Sequence, residues 1–263
     1  MWLAIDIGNT NIHAGVFEGD VLRASFSLSS SEPHMLHDSL AEAIPTCSLK
    51  NSVSAVIISS VNPKPEEVLF ECIKTRLHAS PQKIGKDIPV PLSVFAEYPE
   101  KIGADRLLNA VAAYERFHDS AIIIDAGTAI TVDVINNQGA FLGGIIAPGM
   151  AISSKALHHA TALLPEVSVT KKPDTILGRN TVEAIRSGIY WGAIGMVKQY
   201  IELICRELHD TPAIIATGGS APILAREIPS IASVTPHLTL EGIQWTYKAW
   251  RDKMQVNGPL LRS

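Results

Sequence analysis

The sequence predicts an α/β fold of two domains, each with a mixed β-sheet flanked by helices. Short buried strands alternate with helical segments along the 263 residues, a pattern typical of α/β proteins. The opening unit of strand, Asp-x-Gly loop and strand also returns in mid-chain, where IIDAGTA aligns with AIDIGNT and places Asp125 on Asp6. This internal repeat predicts two domains on one plan, residues 1–118 and 119–263, with the boundary near His118–Ser120.

The first domain is expected to begin with three strands. WLAID predicts a short buried strand that ends at the polar loop DIGNTN, and IHAGVF and VLRASFSL predict two more strands separated by the turn EGD. SAVIISSV (Ser54–Val61) predicts another buried strand, and Glu66–Leu77 has the apolar spacing of a helix. DIPVPLSVFAEYP is broken by prolines and is expected to be extended or looped. A helix then follows Gly103 and continues to about Phe117.

The second domain is expected to repeat the strand pattern and then add helices. Ser120–Gly144 predicts a buried strand, an Asp-x-Gly loop, a second strand, the turn NNQG and a third strand. IIAPGMAISSKALHHATALLPEV is expected to be helical up to Pro165, and Thr181–Leu208 predicts a long helix. AIIATGGSAPILAREI predicts strand, glycine-rich turn and helix. The C-terminal WRDKMQVNGPLLRS is expected to be a partly ordered tail.

Composition excludes several classes of protein. The net charge of −4 gives no basic surplus that would indicate nucleic-acid binding. The three cysteines, Cys47, Cys72 and Cys205, form no CxxC pair, which argues against a zinc site and suits a reducing compartment. The N-terminus lacks the features of a signal peptide, and no apolar run reaches the ~20 residues of a membrane span. We therefore expect a soluble, cytoplasmic protein with no membrane partner.

Three loops at the ends of predicted buried strands indicate a metal-nucleotide site. They are Asp6–Thr10, Asp125–Ala129 and Thr217–Ser220. Glycines in such loops let the backbone approach a ligand, and their N–H groups can hold phosphate. Two carboxylates facing a cleft need a cation between them and a phosphate. One Asp-x-Gly is more often an ordinary turn, whereas two in register with a third glycine loop favour nucleotide binding. The P-loop and Rossmann patterns are both absent.

The segment KIGADRLLNAVAAY leaves two interpretations of Asp105 open. Asp is a preferred N-cap residue, so Asp105 could simply cap the following helix. It could also be a reacting carboxylate held at the mouth of a site. The same choice applies to Thr181, which alone would be a helix N-terminal residue beside a capping Asn180. His158 and His159 are expected to be structural.

Six segments together resemble one family. DIGNTNIHAGVF, GADRLLNAVAAY, IIDAGTAITVDVI, GAFLGGIIAPG, LGRNTVEAIRSGIYWG and ATGG occur in this order. They resemble type III pantothenate kinase, of the acetate kinase/sugar kinase/Hsp70/actin superfamily, from about Trp2 to Trp245. The resemblance implies a ribonuclease H-like, actin-like ATPase plan for each domain. It also implies ATP-dependent phosphorylation of pantothenate to 4'-phosphopantothenate, the first step of coenzyme A biosynthesis.

The resemblance implies roles for particular residues. Asp105 would be the catalytic base. The pantothenate pocket would comprise Tyr98, Gly103, Ala104, Asp105, Arg106 and, from the other subunit of a homodimer, Thr181. The first phosphate loop would comprise Asp6, Ile7, Gly8, Asn9, Thr10, Asn11, Ile12 and His13, with Asp6 serving Mg²⁺-ATP. Thr128 would meet the ATP phosphates, Gly218 and Gly219 the adenosine, and Asp125 a monovalent cation, K⁺ or NH₄⁺.

Two other functions compete with this one. A catalytically idle relative could bind ligand and act as a regulator or accessory factor, but such proteins usually lose a carboxylate, and Asp6, Asp105 and Asp125 are all present. Another kinase or phosphatase of the superfamily would share the Asp-x-Gly loops. It would have no reason to carry the GADR and NTVEAI segments.

Overall fold

The computed structural model describes residues 1–43 and 53–257. Two compact units divide the described chain. One comprises the described residues of Met1–Leu92, Tyr98–Glu115 and Leu238–Ser263, and the other comprises Ser93–Glu97 and Arg116–His237. Cys47 and the last residues of the expected C-terminal tail lie outside the described residues. No helix in the described ranges is both long enough and apolar enough to cross a membrane.

The first unit is built on a mixed five-stranded sheet. Its strands are β1 (Trp2–Ile7), β2 (Asn11–Glu18), β3 (Val21–Ser29), β4 (Ala55–Ser60) and β5 (Gln82–Lys83). They lie in the order β3-β2-β1-β4-β5, with antiparallel pairs among the first three and parallel pairs from β1 to β4 and β4 to β5. Strands β1 and β4 are mostly apolar because both faces of the sheet's centre are covered.

Helices cover both faces of this sheet. They are α1 (Leu36–Ala43), α2 (Pro63–Cys72), α3 (Ala104–Phe117) and α7 (Leu238–Asn257). Leu3, Ile5 and Ile7 of β1 pack in a core cluster with Leu36 and Leu69 from α1 and α2. Trp2 and Ala4 alternate to the other face and pack with residues of α3 and α7. The helix expected over Glu66–Leu77 is confirmed, although it begins at Pro63 and its last turn, Ile73–Leu77, widens to a π-helix.

The second unit repeats the same topology. Its strands are β6 (Ala121–Ala126), β7 (Ala129–Ile135), β8 (Phe141–Pro148), β9 (Ala213–Thr217) and β10 (Ser233–Val234), in the order β10-β9-β6-β7-β8. Strands β6, β7 and β8 are antiparallel neighbours, and β6 pairs in parallel with β9, as β1 does with β4. The repeat predicted from Asp6 and Asp125 is therefore a repeat of topology. Helices α4 (Met150–Ala160), α5 (Thr181–Leu208) and α6 (Ala221–Glu227) complete this unit.

Three expectations differ from the structure. Ile145–Pro148, expected to begin a helix, completes β8; α4 starts only at Met150 and ends at Ala160, before the expected end at Pro165. Trp250–Asn257, expected to begin a partly ordered tail, is the last part of α7. This helix also belongs to the first unit instead of residues 119–263, because Leu240, Ile243 and Tyr247 complete the core cluster around Trp2.

Candidate active site

The loop after β1, predicted to be the first phosphate loop, is a tight turn. Asp6 is the penultimate residue of β1 and only 7% exposed, in register with His13 on β2 and Ser59 on β4. The N–H of Gly8 donates to the carbonyl of Asn11 at 3.0 Å, and a Cβ at Gly8 would meet that oxygen at the same distance. The turn thus favours glycine at this position. Asn9, Thr10, Asn11 and His13 are exposed, whereas Ile7 and Ile12 anchor the strands in the core.

Ser30 stabilises this loop from β3's end, a role that the sequence did not suggest. Its hydroxyl donates to the carbonyl of Gly8 at 2.9 Å, and its N–H donates to the carbonyl of Thr10 at 2.9 Å. Ser30 thus bonds two carbonyls of the same turn. A serine in the polar run SLSSS gave no signal that could single it out.

Asp105 lies in the first turn of α3. The carbonyl of Gly103 accepts the first helical hydrogen bonds, from Arg106 at 3.1 Å and Leu107 at 3.4 Å, so Gly103 and not Asp105 occupies the N-cap position. The Oδ1 of Asp105 accepts from the N–H of Arg106 at 2.8 Å. The simple N-cap interpretation is thus wrong about position, although the carboxylate does satisfy one of the N–H groups that a helix start leaves unbonded.

The local environment raises the pKa of the Asp105 carboxyl. Burial disfavours the charged form and is the largest cause. The hydrogen bond from the Arg106 N–H and the charge of the Arg106 side chain oppose it and lower the pKa. The result is a half-buried carboxylate with a pKa above that of an ordinary aspartate, which makes it a better proton acceptor than a solvated one.

The ends of β1 and β4 meet the start of α3 at one edge of the first sheet. Val61, directly after β4, donates its N–H to the carbonyl of Ile7 at 3.0 Å. A Cβ at Gly103 would lie 3.6 Å from the Cγ1 of Val61 and would clash with the Oδ1 of Asp105. The structure therefore brings the Asp6 loop and the Asp105 turn to the same edge of this unit. Val61 was missed because it ends an ordinary apolar strand.

Tyr98 lies just before this turn. Its side chain is 52% exposed, and the Nζ of Lys101 lies 4.3 Å from the ring centroid. Pro99–Lys101 form a 3₁₀ turn that leads into Gly103 through Ile102. Tyr98 is accordingly a surface side chain.

The second unit brings two glycine loops together. Asp125 is the penultimate residue of β6, in register with Thr217 of the parallel neighbour β9. A Cβ at Gly218, whose φ is +88°, would lie 2.6 Å from the Oδ1 of Asp125, and a Cβ at Gly127 would lie 3.4 Å from it. Only a residue without a side chain fits at Gly218, because both its φ and the adjacent carboxylate exclude a Cβ.

The residue before α4 contacts the loop that carries Thr128. The N–H of Gly149 donates to the carbonyl of Thr128 at 3.2 Å, and a Cβ at Gly149 would clash with the carbonyls of Gly127 and Thr128. Gly149 is the residue immediately before α4. The motif APG carried this residue in the sequence, but its role in backing the Thr128 loop was not recognised.

Thr181 lies elsewhere in the second unit. It is the first residue of α5, after Asn180, whose Oδ1 accepts from the N–H of Glu183 at 3.0 Å and confirms the expected cap. The Oε2 of Glu183 accepts from the N–H of Arg179 at 2.8 Å, which closes a variant of the capping box and is the main cause that lowers the pKa of Glu183.

A groove of about 1060 Å³ runs between α4 and α5. Thr181, Arg179 and Asn180 line one end of it, and Leu157, Gly188 and Met196 line its apolar length. Neither the Asp125–Ala129 loop nor the Thr217–Ser220 loop lines this groove. His158, on the same helix α4, donates from Nδ1 to the carbonyl of Leu164 at 2.7 Å, in keeping with the structural role expected for it.

The donor set suits Mg²⁺ held with a nucleotide. No cluster of three or more Asp, Glu, His or Cys that could hold a metal ion occurs among the described residues. Mg²⁺ does not require one, since one or two carboxylates and substrate phosphates are its usual ligands. Asp6, largely buried at the end of β1 beside the glycine turn, provides such a carboxylate, and the turn at Gly8 provides backbone that a phosphate can approach.

Comparison with known proteins places this geometry in a family. A family model described as type III pantothenate kinase matches residues 2–203. The chain belongs to the type III pantothenate kinase family. A relative of that name from Anaeromyxobacter sp. (strain K) is 39% identical over 248 residues, which are 93% of this chain and 97% of the relative.

Two solved structures have the fold of this family member. A conserved putative Baf family transcriptional activator from Campylobacter jejuni has a TM-score of 0.61 at 24% identity, over 95% of this chain and 99% of that one. An activator of 2-hydroxyisocaproyl-CoA dehydratase from Clostridium difficile, with bound ADPNP, has a TM-score of 0.55 at 14% identity, over 100% and 98%. At these identities the likeness concerns fold alone, and it confirms the α/β class with the actin-like ATPase plan.

Proposed function

We propose that this protein transfers the γ-phosphoryl group of ATP to the primary alcohol of pantothenate, with Asp105 as the general base. The observation that carries the proposal is the half-buried Asp105 carboxylate, set in the first turn of α3 at the same edge of the sheet as the Asp6 loop. Membership of the type III pantothenate kinase family supplies the substrate and the reaction class. The reaction begins coenzyme A synthesis, and its use of ATP suits the cytoplasm.

Asp105 orients the alcohol and accepts its proton. Phosphoryl transfer passes through a loose transition state, so that the enzyme acts chiefly by positioning and by neutralising charge. The hydroxyl proton leaves late, and a carboxylate whose pKa burial has raised is suited to take it. The hydrogen bond from the Arg106 N–H fixes Oδ1, which directs the other carboxylate oxygen toward the substrate.

The neighbouring residues form the pantothenate pocket in this proposal. Gly103 and Ala104 offer backbone at the mouth of the site, since a side chain at Gly103 would clash with Asp105. The Arg106 side chain holds the substrate carboxylate, and the exposed ring of Tyr98 contacts the substrate's apolar part. Thr181 is proposed to reach the pocket of a second subunit in a homodimer, and the apolar groove beside it supports such packing.

The nucleotide is proposed to bind the glycine loops. In the first unit the backbone from Asp6 to His13 holds phosphate, and Asp6 holds Mg²⁺. In the second unit Thr128 contacts the phosphates, and Gly218 and Gly219 contact the adenosine. Bound Mg²⁺ neutralises phosphate charge. The Asp125 carboxylate and the Ala126 carbonyl both lie next to Gly218. Their oxygen atoms are suited to contact K⁺ or NH₄⁺.

One assay tests the proposal. Purified protein with ATP, Mg²⁺ and K⁺ is expected to phosphorylate pantothenate, and Asp105→Asn is expected to lose about 10²–10⁴-fold in kcat. Asp119→Asn is the matched control. The Oδ1 of Asp119 also accepts a hydrogen bond from the N–H of the next residue, Ser120, with an N–O distance of 2.7 Å, but Asp119 lies outside the proposed site. No turnover with intact ATP and pantothenate binding would favour the regulator instead. An Asp105→Asn enzyme with the kcat of the unaltered protein would exclude Asp105 as the base.

The cation and the dimer have separate tests. If Asp125 holds a monovalent cation, replacement of K⁺ by Na⁺ is expected to lower kcat, and an unchanged rate would count against that role. If Thr181 completes a partner's pocket, sedimentation is expected to find a dimer under assay conditions. A fully active monomer would refute the shared pocket.

A further inference from the structure

A part-buried polar contact joins the helix that carries Asp105 to α7. The hydroxyl of Thr239, the second residue of α7, donates to the Oδ1 of Asn109 at 2.8 Å. Asn109 is only 1% exposed and stands four residues after Asp105 on α3. Residues four apart lie on the same helix face, so this contact fixes α3 one helical turn after Asp105.

The backbones of the two helices touch beside this hydrogen bond. A Cβ at Gly242 would clash with the carbonyl oxygen of Leu108 and would lie 2.5 Å from its carbonyl carbon. Leu108 itself is fully buried. The turn of α3 that follows Asp105 is therefore held by α7 both through a side chain and through the main chain.

The same helix α7 rests on the strands that lead to the Asp6 loop. Leu240, Ile243 and Tyr247 pack in one core cluster with Trp2 and Ala4 of β1. The Cδ1 of Leu240 also lies 3.2 Å from the place that a Cβ at Gly15 of β2 would take. Helix α7 is thus a common support for the two elements that carry Asp105 and Asp6.

Stability alone does not explain a polar pair at this place. Asn is a poor helix former, and the buried Asn109 amide and the half-buried Thr239 hydroxyl must lose water before they bond each other. Two apolar side chains of the same shape would be about as stable or more so. A hydrogen bond differs from such a contact in being directional, and it therefore fixes how far a helix is rotated about its own axis.

We propose that Thr239 and Asn109 are positioning residues for Asp105: their hydrogen bond sets the rotation of α3, and thereby the place of the carboxylate beside the alcohol that it deprotonates. This inference rests on the proposed function. Its physical basis is that a displacement of about 1 Å in a reacting group can cost about 10²-fold in rate.

The test compares two substitutions of the same kind on α7. Thr239→Val removes the hydroxyl that bonds Asn109 and keeps the side chain's shape. Thr246→Val is the control, since Thr246 is also on α7 and fully buried, but its hydroxyl has no hydrogen-bond partner among the described residues. Thr239→Ser retains the donor. For each variant kcat, the Michaelis constants for ATP and pantothenate, and the melting temperature are measured.

We expect Thr239→Val to lower kcat by about tenfold or more, with the Michaelis constant for ATP changed by less than about twofold. Thr239→Ser is expected to restore most of the rate, and Thr246→Val to leave it unchanged. In an Asp105→Asn background, Thr239→Val is expected to have less than about a twofold further effect, because a positioning residue acts only through the group it positions.

Each other result overturns the inference in a recognisable way. If Thr239→Val keeps kcat within about twofold while Asp105→Asn is impaired, the positioning role is wrong and the proposed function stands. If Thr239→Val slows the otherwise unaltered enzyme and the Asp105→Asn enzyme by the same factor, the contact is merely structural. If Asp105→Asn is itself fully active, the base assignment fails, and this inference with it.

Discussion

The substitution Gly242→Ala tests how closely α7 must approach α3. An added Cβ would stand 2.5 Å from the carbonyl carbon of Leu108 and 2.9 Å from its Cα. Carbon atoms in favourable contact are about 3.5–4.0 Å apart, so the helices must separate by about 1 Å or turn against each other. Either movement carries a cost in stability, because the obstacle is helical backbone and not the end of a flexible side chain.

The expected loss of stability combines two opposing effects. Overpacking of a well-packed interface costs about 1–3 kcal/mol. Alanine gains up to about 1 kcal/mol over glycine inside a helix. The net free energy of unfolding should fall by about 1–2 kcal/mol, which for a chain of this size lowers the melting temperature by roughly 2–8 °C.

The melting temperatures of Gly242→Ala and of a control variant, Gly195→Ala, are measured by calorimetry. A Cβ at Gly195 on α5 meets nothing within 4 Å, so the same change there should raise the melting temperature by the propensity gain alone. The two glycines are thus expected to respond with opposite sign. A Gly242→Ala protein that melts at or above the temperature of the unaltered chain would refute the close approach of the two helices.

Three more predictions concern the two helix starts. Asp105→Asn should melt at a higher temperature than the unaltered protein at pH 7, because burial raises the pKa of the carboxyl and makes its charge costly in the folded state. This gain in melting temperature should vanish as the pH falls below both the raised pKa and the ordinary pKa of 3.8. A lower melting temperature at pH 7 would contradict the prediction. The pH profile of kcat/KM should show an acid limb with its midpoint above 3.8, where Asp105 is protonated, and Asp105→Asn should lack that limb. Asn180→Ala should destabilise the protein by about 1 kcal/mol in thermal unfolding, whereas Asn180→Ser, which keeps a capping oxygen without adding a charge beside Glu183, should destabilise it less.

Much of the fold could be predicted because its strands are short and apolar and end at polar or glycine-containing turns. Strands β1 and β6 stop at Asp-x-Gly, where polar residues cannot continue a buried strand, and the matching order of the two sheets follows from that repeat. Ile145–Pro148 was misassigned because a short apolar run does not distinguish a strand from a helix. Pairing with Ala129–Val132 of β7, which decides the matter, is not visible in local sequence.

Helix α7 shows a second way in which local sequence fails to predict structure. Its polar C-terminal half looks like a tail, and its N-terminal half gains its place only by packing on strands more than two hundred residues earlier. The same limit applies to the site. The loops at Asp6 and Asp125 were found because glycine and carboxylate together are a local signal. The supports at Ser30, Val61 and Gly149 are ordinary residues whose roles depend on distant partners.

The return of the chain to the first unit has a consequence for synthesis. A ribosome completes all five strands of the first sheet long before it makes α7, which covers the Trp2 face of that sheet. Until α7 emerges, this nascent unit exposes apolar surface that Leu240, Ile243 and Tyr247 will later bury. The second unit, by contrast, is a continuous stretch apart from Ser93–Glu97 and can close on itself first. A truncation of the chain before Leu238 would therefore damage the half of the enzyme that was translated earliest.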